Sequence, residues 1–259
     1  MKNRWKNYRK AHLNNLGVRK NELEKIISLI NPRKEDIVLE IGTGSGFLTI
    51  PLAKLCTHVF TADINNGNLN EIKRKTTKLP IKTILIKPKE KNFFSKIYFN
   101  KFDKVATLAT LHHFDNKKDD SGESGRIKLL KETYNLLKPN GKLVIADVLH
   151  NTNTQKYFNA LDNPLFCYPN GHPHDFFSKE RLQKILKNIG FSEVKIEVLN
   201  MPWNFKNIDE AKNFIHLLHN ANCAKQKSLE LAKKILGLNK TNGYFQLNWQ
   251  LFFLTATKK

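Results

Sequence analysis

Two kinds of hydrophobic pattern alternate along the first 150 residues. Short apolar runs such as 37–42 are typical of strands buried on both faces of a parallel sheet, and polar segments with apolar residues at helical spacing separate them. This alternation predicts an α/β fold, a doubly wound sheet with right-handed crossovers and helices on both faces. The predicted strands cover 37–42, 58–63, 81–86, 104–109 and 142–149, and the predicted helices cover 46–55, 68–78 and 126–137.

The remaining segments follow different patterns. Residues 1–34 have helical spacing up to Asn31-Pro32, and 208–236 repeat that spacing near the other end of the chain. Ser178 is a predicted N-cap for a helix over 179–188 that Gly190 ends, with a strand over 193–199 after it. Alternating apolar residues in 244–257 predict an antiparallel terminal strand.

These patterns predict a core with appended segments. We expect an N-terminal helical cap over 1–34, an α/β core over 35–150, and a lid insertion over 151–177. Residues 178–259 then complete the core and carry a helical insertion at about 200–240. The insertions contain aromatic residues, among them Phe158, Trp203 and Phe205, that either line an acceptor pocket or pack in a core.

The first predicted strand runs directly into a glycine-rich turn and then a helix. The motif reads Glu40-Ile41-Gly42-Thr43-Gly44-Ser45-Gly46. Its G-x-G-x-G spacing differs from the G-x-G-x-x-G fingerprint of dinucleotide-binding proteins. An acidic residue, Asp63, closes the second predicted strand 21 residues after Gly42.

This pattern resembles the first motif of the class I S-adenosylmethionine-dependent methyltransferases. Two further segments are similar to later motifs of that family. They are Phe102-Asp103-Lys104-Val105, with the residues that follow the fourth strand, and Leu136-Leu137-Lys138-Pro139-Asn140-Gly141, with the fifth strand after it. The resemblance therefore covers roughly 35–150. It implies a Rossmann-like seven-stranded sheet whose last strand is antiparallel, and S-adenosyl-L-methionine as the cofactor.

The resemblance also implies roles for individual residues. Glu40 would hold the methionine amino group, and Asp63 would bind the ribose hydroxyls. The other implied cofactor contacts are Gly42, Thr43, Gly44, Gly46, Ile64, Leu108 and Ala109. The sequence departs from the family at Lys87-Pro88-Lys89-Glu90, where an acidic residue often binds adenine. Either Glu90 or backbone groups take that role.

The exit of the fourth predicted strand reads Leu111-His112-His113-Phe114. It resembles the exit in many small-molecule methyltransferases, including quinone C-methyltransferases, and it is not the Asn/Asp-Pro-Pro-aromatic motif of base-amine methyltransferases. His113, and next His112, are the candidate general bases; otherwise both cap the strand or line the cofactor pocket. His172 and His174 form a second pair in the insertion, but we predict no metal, because methyl transfer in this family relies on proximity and orientation.

Net charge adds an alternative acceptor. The formal charge of +21 favours nucleic acid, yet 37 lysines accompany only 7 arginines and the lysines are dispersed. We therefore predict methyl transfer to the O, N or C atom of a small molecule, with an RNA methyltransferase as the alternative. A protein methyltransferase and a non-catalytic relative remain as further alternatives. The sequence has neither a membrane span nor a secretory signal, so we expect no membrane partner and a cytoplasmic location.

Overall fold

The computed structural model of the protein describes residues 2–15, 17–88, 90–114, 123–167 and 176–259. Its helices are α1 (Lys2–Asn14), α2 (Lys20–Ile30), α3 (Thr49–Leu55), α4 (Asn66–Lys75), α5 (Ser124–Leu136), α6 (Asn153–Leu161), α7 (Lys179–Ile189), α8 (Ile208–Leu218) and α9 (Lys225–Leu236). Its strands are β1 (Ile37–Ile41), β2 (His58–Asp63), β3 (Ile81–Leu85), β4 (Phe102–Leu108), β5 (Leu137–Asp147), β6 (Phe191–Asn200), β7 (Trp203–Phe205), β8 (Leu238–Thr241), β9 (Tyr244–Leu247) and β10 (Gln250–Lys258). Within these ranges no helix has the length and apolarity needed to cross a membrane.

The described residues form two compact units. The core unit comprises 24–147, 177–197 and 252–259, and the appended unit comprises the described parts of 1–23, 148–176 and 198–251. The predicted cap over 1–34 thus divides at Leu23, and most of α2 belongs to the core unit. Of the predicted insertions, the described residues of 151–176 and the segment at about 200–240 fall in the appended unit, whereas Phe177 belongs to the core unit.

A seven-stranded sheet forms the centre of the core unit, in the order β3-β2-β1-β4-β5-β10-β6. The pairs from β3 to β5 are parallel, whereas β10 runs antiparallel to β5. The predicted Rossmann-like sheet with an antiparallel last strand is therefore confirmed. Because the chain moves outward from β1 to β2 and β3 and then returns to β4, the strand order reverses between β1 and β4. Ligands of open α/β sheets bind beyond the carboxyl ends of the strands at such a reversal.

Capping signals around α7 are confirmed. The Ser178 hydroxyl accepts a hydrogen bond from the Arg181 amide at 3.2 Å, and Gly190 ends the helix with φ of 116°. The sequence Lys138-Pro139-Asn140-Gly141 predicts a turn before the fifth strand, but these residues lie within β5. Pairing with β4 jumps there from Phe102↔Leu137 to Lys104↔Lys142. The extra residues on β5 form a bulge.

Two predictions for the appended unit are wrong in detail. The predicted helix over 208–236 is interrupted after Leu218, so α8 and α9 are separate helices. The predicted single strand over 244–257 is two strands: β9 is the centre of a three-stranded sheet, in the order β7-β9-β8, whereas β10 joins the seven-stranded sheet. Leu251, Phe252, Phe253 and Leu254 of β10 are all buried, so both faces of this strand are covered, whereas Leu247 is the buried residue of β9.

Aromatic side chains fill the interior of the appended unit. Trp203 stacks on Trp249 with ring centroids 3.9 Å apart, and Phe205 packs at 5.5 Å from Phe214. Phe158 contacts Trp249 at 5.8 Å, and all of these rings are buried. Of the two roles considered for these aromatic residues, packing in a core is the one that their contacts support.

The backbone at Gly190 generates a testable prediction. Its positive φ favours glycine, and an added Cβ would lie 3.0 Å from the Tyr134 hydroxyl oxygen. We expect Gly190→Ala to lower the free energy of unfolding by about 1–2 kcal/mol in urea denaturation. Gly17→Ala is the matched control, because a Cβ there meets nothing within 4 Å, and its effect should stay within about 0.5 kcal/mol. Equal effects of the two substitutions would contradict this account of α7.

Candidate active site at the carboxyl edge of the sheet

The glycine turn lies between β1 and α3, at the carboxyl edge of the sheet. Gly42, Gly44 and Gly46 have φ values of 99°, 50° and 86°. The amide of Gly42 donates to the Ala62 carbonyl at 2.7 Å, which ties the turn to the end of β2. Thr43 is buried, and its hydroxyl lies 2.6 Å from the Thr61 hydroxyl. The turn is thereby fixed by β2 on one side.

Close packing explains two of the three glycines. A Cβ on Gly42 would overlap the side chain of Thr110, and one on Gly46 would lie 2.5 Å from the Ile72 side chain. Glycine is therefore required at these two positions for two reasons: protein atoms occupy the space that a side chain would need, and φ is positive. The contact of Gly42 with Thr110 brings the exit of β4 against the turn. No sequence signal had singled out Thr110.

Asp63 ends β2 and is already bound by the protein. Its Oδ2 accepts hydrogen bonds from the Gly44 amide at 3.0 Å and the Asn68 side-chain amide at 3.1 Å, and its Oδ1 accepts from the Asn65 amide at 2.7 Å. A carboxylate has about four acceptor positions, so these three donors leave about one. Asp63 is 6% exposed, whereas Ile64 beside it is 48% exposed.

Glu40 lies behind the turn. Its carboxylate is 2% exposed and accepts hydrogen bonds from the hydroxyls of Thr61, at 2.8 Å, and Thr49. Burial raises the pKa of Glu40 to about 8, although the two threonine hydroxyls lower it, and the nearby Asp63 charge raises it further. The carboxylate is therefore engaged by protein donors and closed to solvent.

The exit of β4 contains a buried histidine with a carboxylate partner. Leu108 ends the strand, and Ala109 follows with φ of 51° and an amide that donates to the Ala146 carbonyl at 2.7 Å. His112 is buried, with Nδ1 lying 2.7 Å from Asp147 Oδ1, whereas His113 is exposed. The ring centroids of His112 and His113 are 4.0 Å apart.

Sequence reasoning missed Asp147, which lies 35 residues from His112. Its position as the last residue of β5 was the available signal, since β5 is the neighbour of β4 in parallel sheets of this connectivity. The same reasoning ranked His113 above His112. Among the described contacts, Asp147 is the carboxylate partner of His112.

The segment after β3 is anchored from α5. The Glu132 carboxylate accepts hydrogen bonds from the amides of Phe93, at 2.9 and 2.8 Å, and Phe94, at 3.0 Å. Glu90, one of the two alternatives for the adenine contact, is exposed and forms an ion pair with Lys87 at 2.8 Å. Glu132 was also missed, because no motif surrounds it.

The predicted second histidine pair, His172 and His174, lies outside the described residues. Among the residues that are described, no cluster of three or more His, Cys, Asp or Glu side chains is arranged to hold a metal ion.

Comparison with known proteins identifies the class. The family model for a methyltransferase domain matches residues 17–196, which is more than half of the chain. The chain therefore belongs to this family, and its fold is that of the class I S-adenosylmethionine-dependent methyltransferases.

Similar proteins act on different acceptors. The chain is 33% identical over 86 residues to a probable cobalt-precorrin-6B C(15)-methyltransferase (decarboxylating) of Methanocaldococcus jannaschii, covering 32% of this chain and 47% of that protein. It is 38% identical over 77 residues to the ribosomal RNA small subunit methyltransferase A of Wigglesworthia glossinidia brevipalpis, covering 28% and 30%. The structure of a phosphoethanolamine N-methyltransferase 2 from Haemonchus contortus, in complex with phosphomonomethylethanolamine and S-adenosylhomocysteine, matches with a TM-score of 0.58 at 17% identity, covering 92% of this chain and 52% of that one. The chain thus spans about half or less of each of these proteins.

Burial of Glu40 predicts a pH dependence of stability. Its ordinary pKa is 4.5 and its folded value is about 8, so between these values the unfolded chain releases a proton that the folded protein keeps. The contribution of Glu40 to stability is therefore complete below pH 4.5 and falls as the pH rises toward 8. Glu40→Gln keeps a neutral side chain at all pH values, so it removes the pH-dependent contribution of Glu40 to stability.

The measurement is the free energy of unfolding of the wild type minus that of Glu40→Gln, taken at several pH values. We expect this difference to become less favourable to the wild type from pH 5 to pH 8. A difference that stays constant, or that rises with pH, would show that the carboxyl is ionised in the folded protein.

Proposed function

We propose that the protein transfers a methyl group from S-adenosylmethionine to a small-molecule acceptor. The observation that carries this proposal is the contact between Gly42 and Thr110. It brings the glycine turn, with Asp63 hydrogen-bonded to it, against the strand exit that contains His112. A cofactor site and a titratable side chain are thereby adjacent at one edge of the core sheet.

The chain's own residues fit the cofactor. Asp63 has about one acceptor position left for a ribose hydroxyl, and the exposed Ile64 side chain offers an apolar surface to adenine. Gly42, Thr43, Gly44 and Gly46 would contact it through the turn, and Leu108 and Ala109 would contact it from the exit of β4. When bound, S-adenosylmethionine supplies an electrophilic methyl group on a sulfonium.

Glu40 has an indirect role in this proposal. Its carboxylate is enclosed and bound by two threonine hydroxyls, so it supports the turn rather than contacting the cofactor's amino group itself. A buried carboxyl group whose oxygens are already bound by hydroxyl groups is not exposed to a ligand, so its contribution is to hold the residues around it.

A small-molecule acceptor is supported over RNA by two features. The exit of β4 has a histidine paired with a carboxylate in place of the Asn/Asp-Pro-Pro-aromatic motif. Part of the positive charge is also used within the core unit: Lys104 pairs with Asp36 and Lys138 with Asp103, and Lys142 donates to the Leu29 carbonyl. These ammonium groups stabilise the fold and are not a track for phosphates.

Relatives provide support for both acceptor classes, since one methylates a precorrin and another ribosomal RNA by name. The RNA alternative is therefore kept as an outcome of the test below. A protein acceptor or a non-catalytic role is less well supported, because the glycine turn and Asp63 are intact.

Binding of S-adenosylhomocysteine tests the cofactor assignment. We expect Asp63→Ala to weaken binding by about 1.5–3 kcal/mol, or roughly 10- to 150-fold, as removal of hydrogen bonds to a charged group does. Titration calorimetry measures this directly. Asn68→Ala is the matched control, because it removes one donor to Asp63 and keeps the carboxylate. Its affinity should change by about threefold or less, and an unchanged affinity in Asp63→Ala would refute the assignment.

Methyl transfer from labelled S-adenosylmethionine tests the acceptor class. Cell extract is separated into an RNA fraction and a small-metabolite fraction, and each is incubated with the protein. We expect label in the small-metabolite fraction, because the β4 exit lacks the motif used for base amines. Label in the RNA fraction alone would overturn the small-molecule proposal and favour the RNA alternative, which would then require salt-sensitive binding.

A further inference from the structure

The carboxylate of Asp147 makes two hydrogen bonds to one residue. Its Oδ2 accepts from the His112 backbone amide at 3.2 Å, and its Oδ1 lies 2.7 Å from His112 Nδ1. Asp147 is 1% exposed, and His112 is buried as well. The side chain and the backbone of His112 are therefore both fixed by the end of β5.

This geometry selects one form of the imidazole. An ionised carboxylate can only accept hydrogen bonds, so Nδ1 of His112 must carry a proton to donate. In the neutral ring the lone pair that can take up a proton is then on Nε2. A carboxylate behind a histidine fixes both the tautomer and the ring orientation in this way.

Strand pairing places the pair at the cofactor edge. Leu108 of β4 is paired with Ala146 of β5, so the residues that follow each strand are neighbours. Thr110, two residues before His112, packs against Gly42 of the glycine turn. The His112 and Asp147 pair is thus connected to the proposed cofactor site through a short, closely packed stretch of the same strand exit.

We propose that His112 is the general base of methyl transfer, that Asp147 is the residue that positions it, and that the acceptor atom is a hydroxyl oxygen. This inference rests on the proposed function and specifies its substrate class. The acceptor oxygen forms a bond to the methyl carbon, the electron pair of the methyl–sulfur bond stays on sulfur, and the hydroxyl proton goes to Nε2 of His112. Charge is balanced, because the sulfonium becomes neutral as the imidazole becomes cationic beside the Asp147 carboxylate.

The need for a base distinguishes acceptor classes. A neutral amine already has a free lone pair, so it can attack a methyl group before losing any proton. A hydroxyl oxygen becomes a strong nucleophile only as its proton leaves, and a positioned base contributes typically 10²–10⁴-fold to such a step. A buried carboxylate that holds a histidine in its proton-accepting tautomer therefore suits a hydroxyl acceptor.

Asp147→Asn is the decisive variant. An asparagine oxygen can still accept from the His112 amide, but its NH₂ group can donate to Nδ1 and move the ring proton to Nε2. We expect kcat for labelled methyl transfer to the small-metabolite fraction to fall about 100-fold or more, with KM for S-adenosylmethionine changed less than threefold. His112→Gln should lose kcat to a similar extent.

A spectroscopic readout separates positioning from folding. Histidine ¹⁵N NMR of the full chain should show the Nδ1-protonated tautomer for His112 in the wild type and the Nε2-protonated tautomer in Asp147→Asn, with His112→Gln providing the assignment. Asp103→Asn is the matched control, because this carboxylate also accepts from a backbone amide, that of Ile37, but at the opposite end of β4. It should alter thermal stability and leave both the tautomer and kcat within threefold of the wild type.

The outcomes decide the proposal separately from the proposed function. An unchanged kcat in Asp147→Asn, or a loss of kcat without a change of tautomer, would overturn the positioning role. A labelled product identified by mass spectrometry as a methylated amine would overturn the hydroxyl acceptor, whereas a methyl ether supports it. If the wild type labels no fraction at all, the proposed function fails, and an unchanged tautomer in Asp147→Asn would then refute the Asp147 assignment on its own.

Discussion

Three carboxyl groups at the carboxyl edge of the central sheet are buried and need hydrogen-bond partners from the protein. Glu40, Asp63 and Asp147 stand in or at the ends of three strands, and each is buried. A buried carboxylate without partners costs several kcal/mol, so the surrounding chain has to supply donors. The donors differ between the three groups. Threonine hydroxyls bind Glu40, backbone amides from the turns after β1 and β2 bind Asp63, and His112 binds Asp147. The need to satisfy these groups fixes the backbone that surrounds them.

The donors come from elements that the proposed reaction requires. Gly44 belongs to the turn that would hold the cofactor, Thr49 begins the helix after that turn, and His112 lies in the exit of β4. A shift of any one of them would leave a buried carboxyl group short of a partner, so these hydrogen bonds oppose a rearrangement of the site. Catalytic geometry held in advance by a supporting layer of hydrogen bonds costs no reorganisation during the reaction.

Local patterns in the sequence predicted the core unit well. Apolar runs located β1 to β5, and the cap residues Ser178 and Gly190 located α7, because these signals depend on near neighbours. The candidate site was predicted only as far as its motifs extend. Asp147 and Thr110 acquire their roles through pairing of strands that are distant in sequence, and the partner of a carboxylate 35 residues away cannot be deduced from spacing. The ranking of His113 above His112 as a general base stays a prediction, because it was made without the contact between His112 and Asp147.

The appended unit shows why contacts between distant segments could not be predicted from the sequence. Glu22 is buried and accepts hydrogen bonds from Arg19, at 2.5 Å, and from the indole of Trp203, which is 181 residues away. Arg19 and Glu22 are residue types that usually lie on a surface, so their burial is invisible in a hydrophobic pattern. Closing a loop of that length has an entropy cost that grows only slowly with length, whereas an unpaired Glu22 in this interior would cost far more. Polar contacts of this kind link segments that are distant in the chain, and they leave no periodic signal in the sequence.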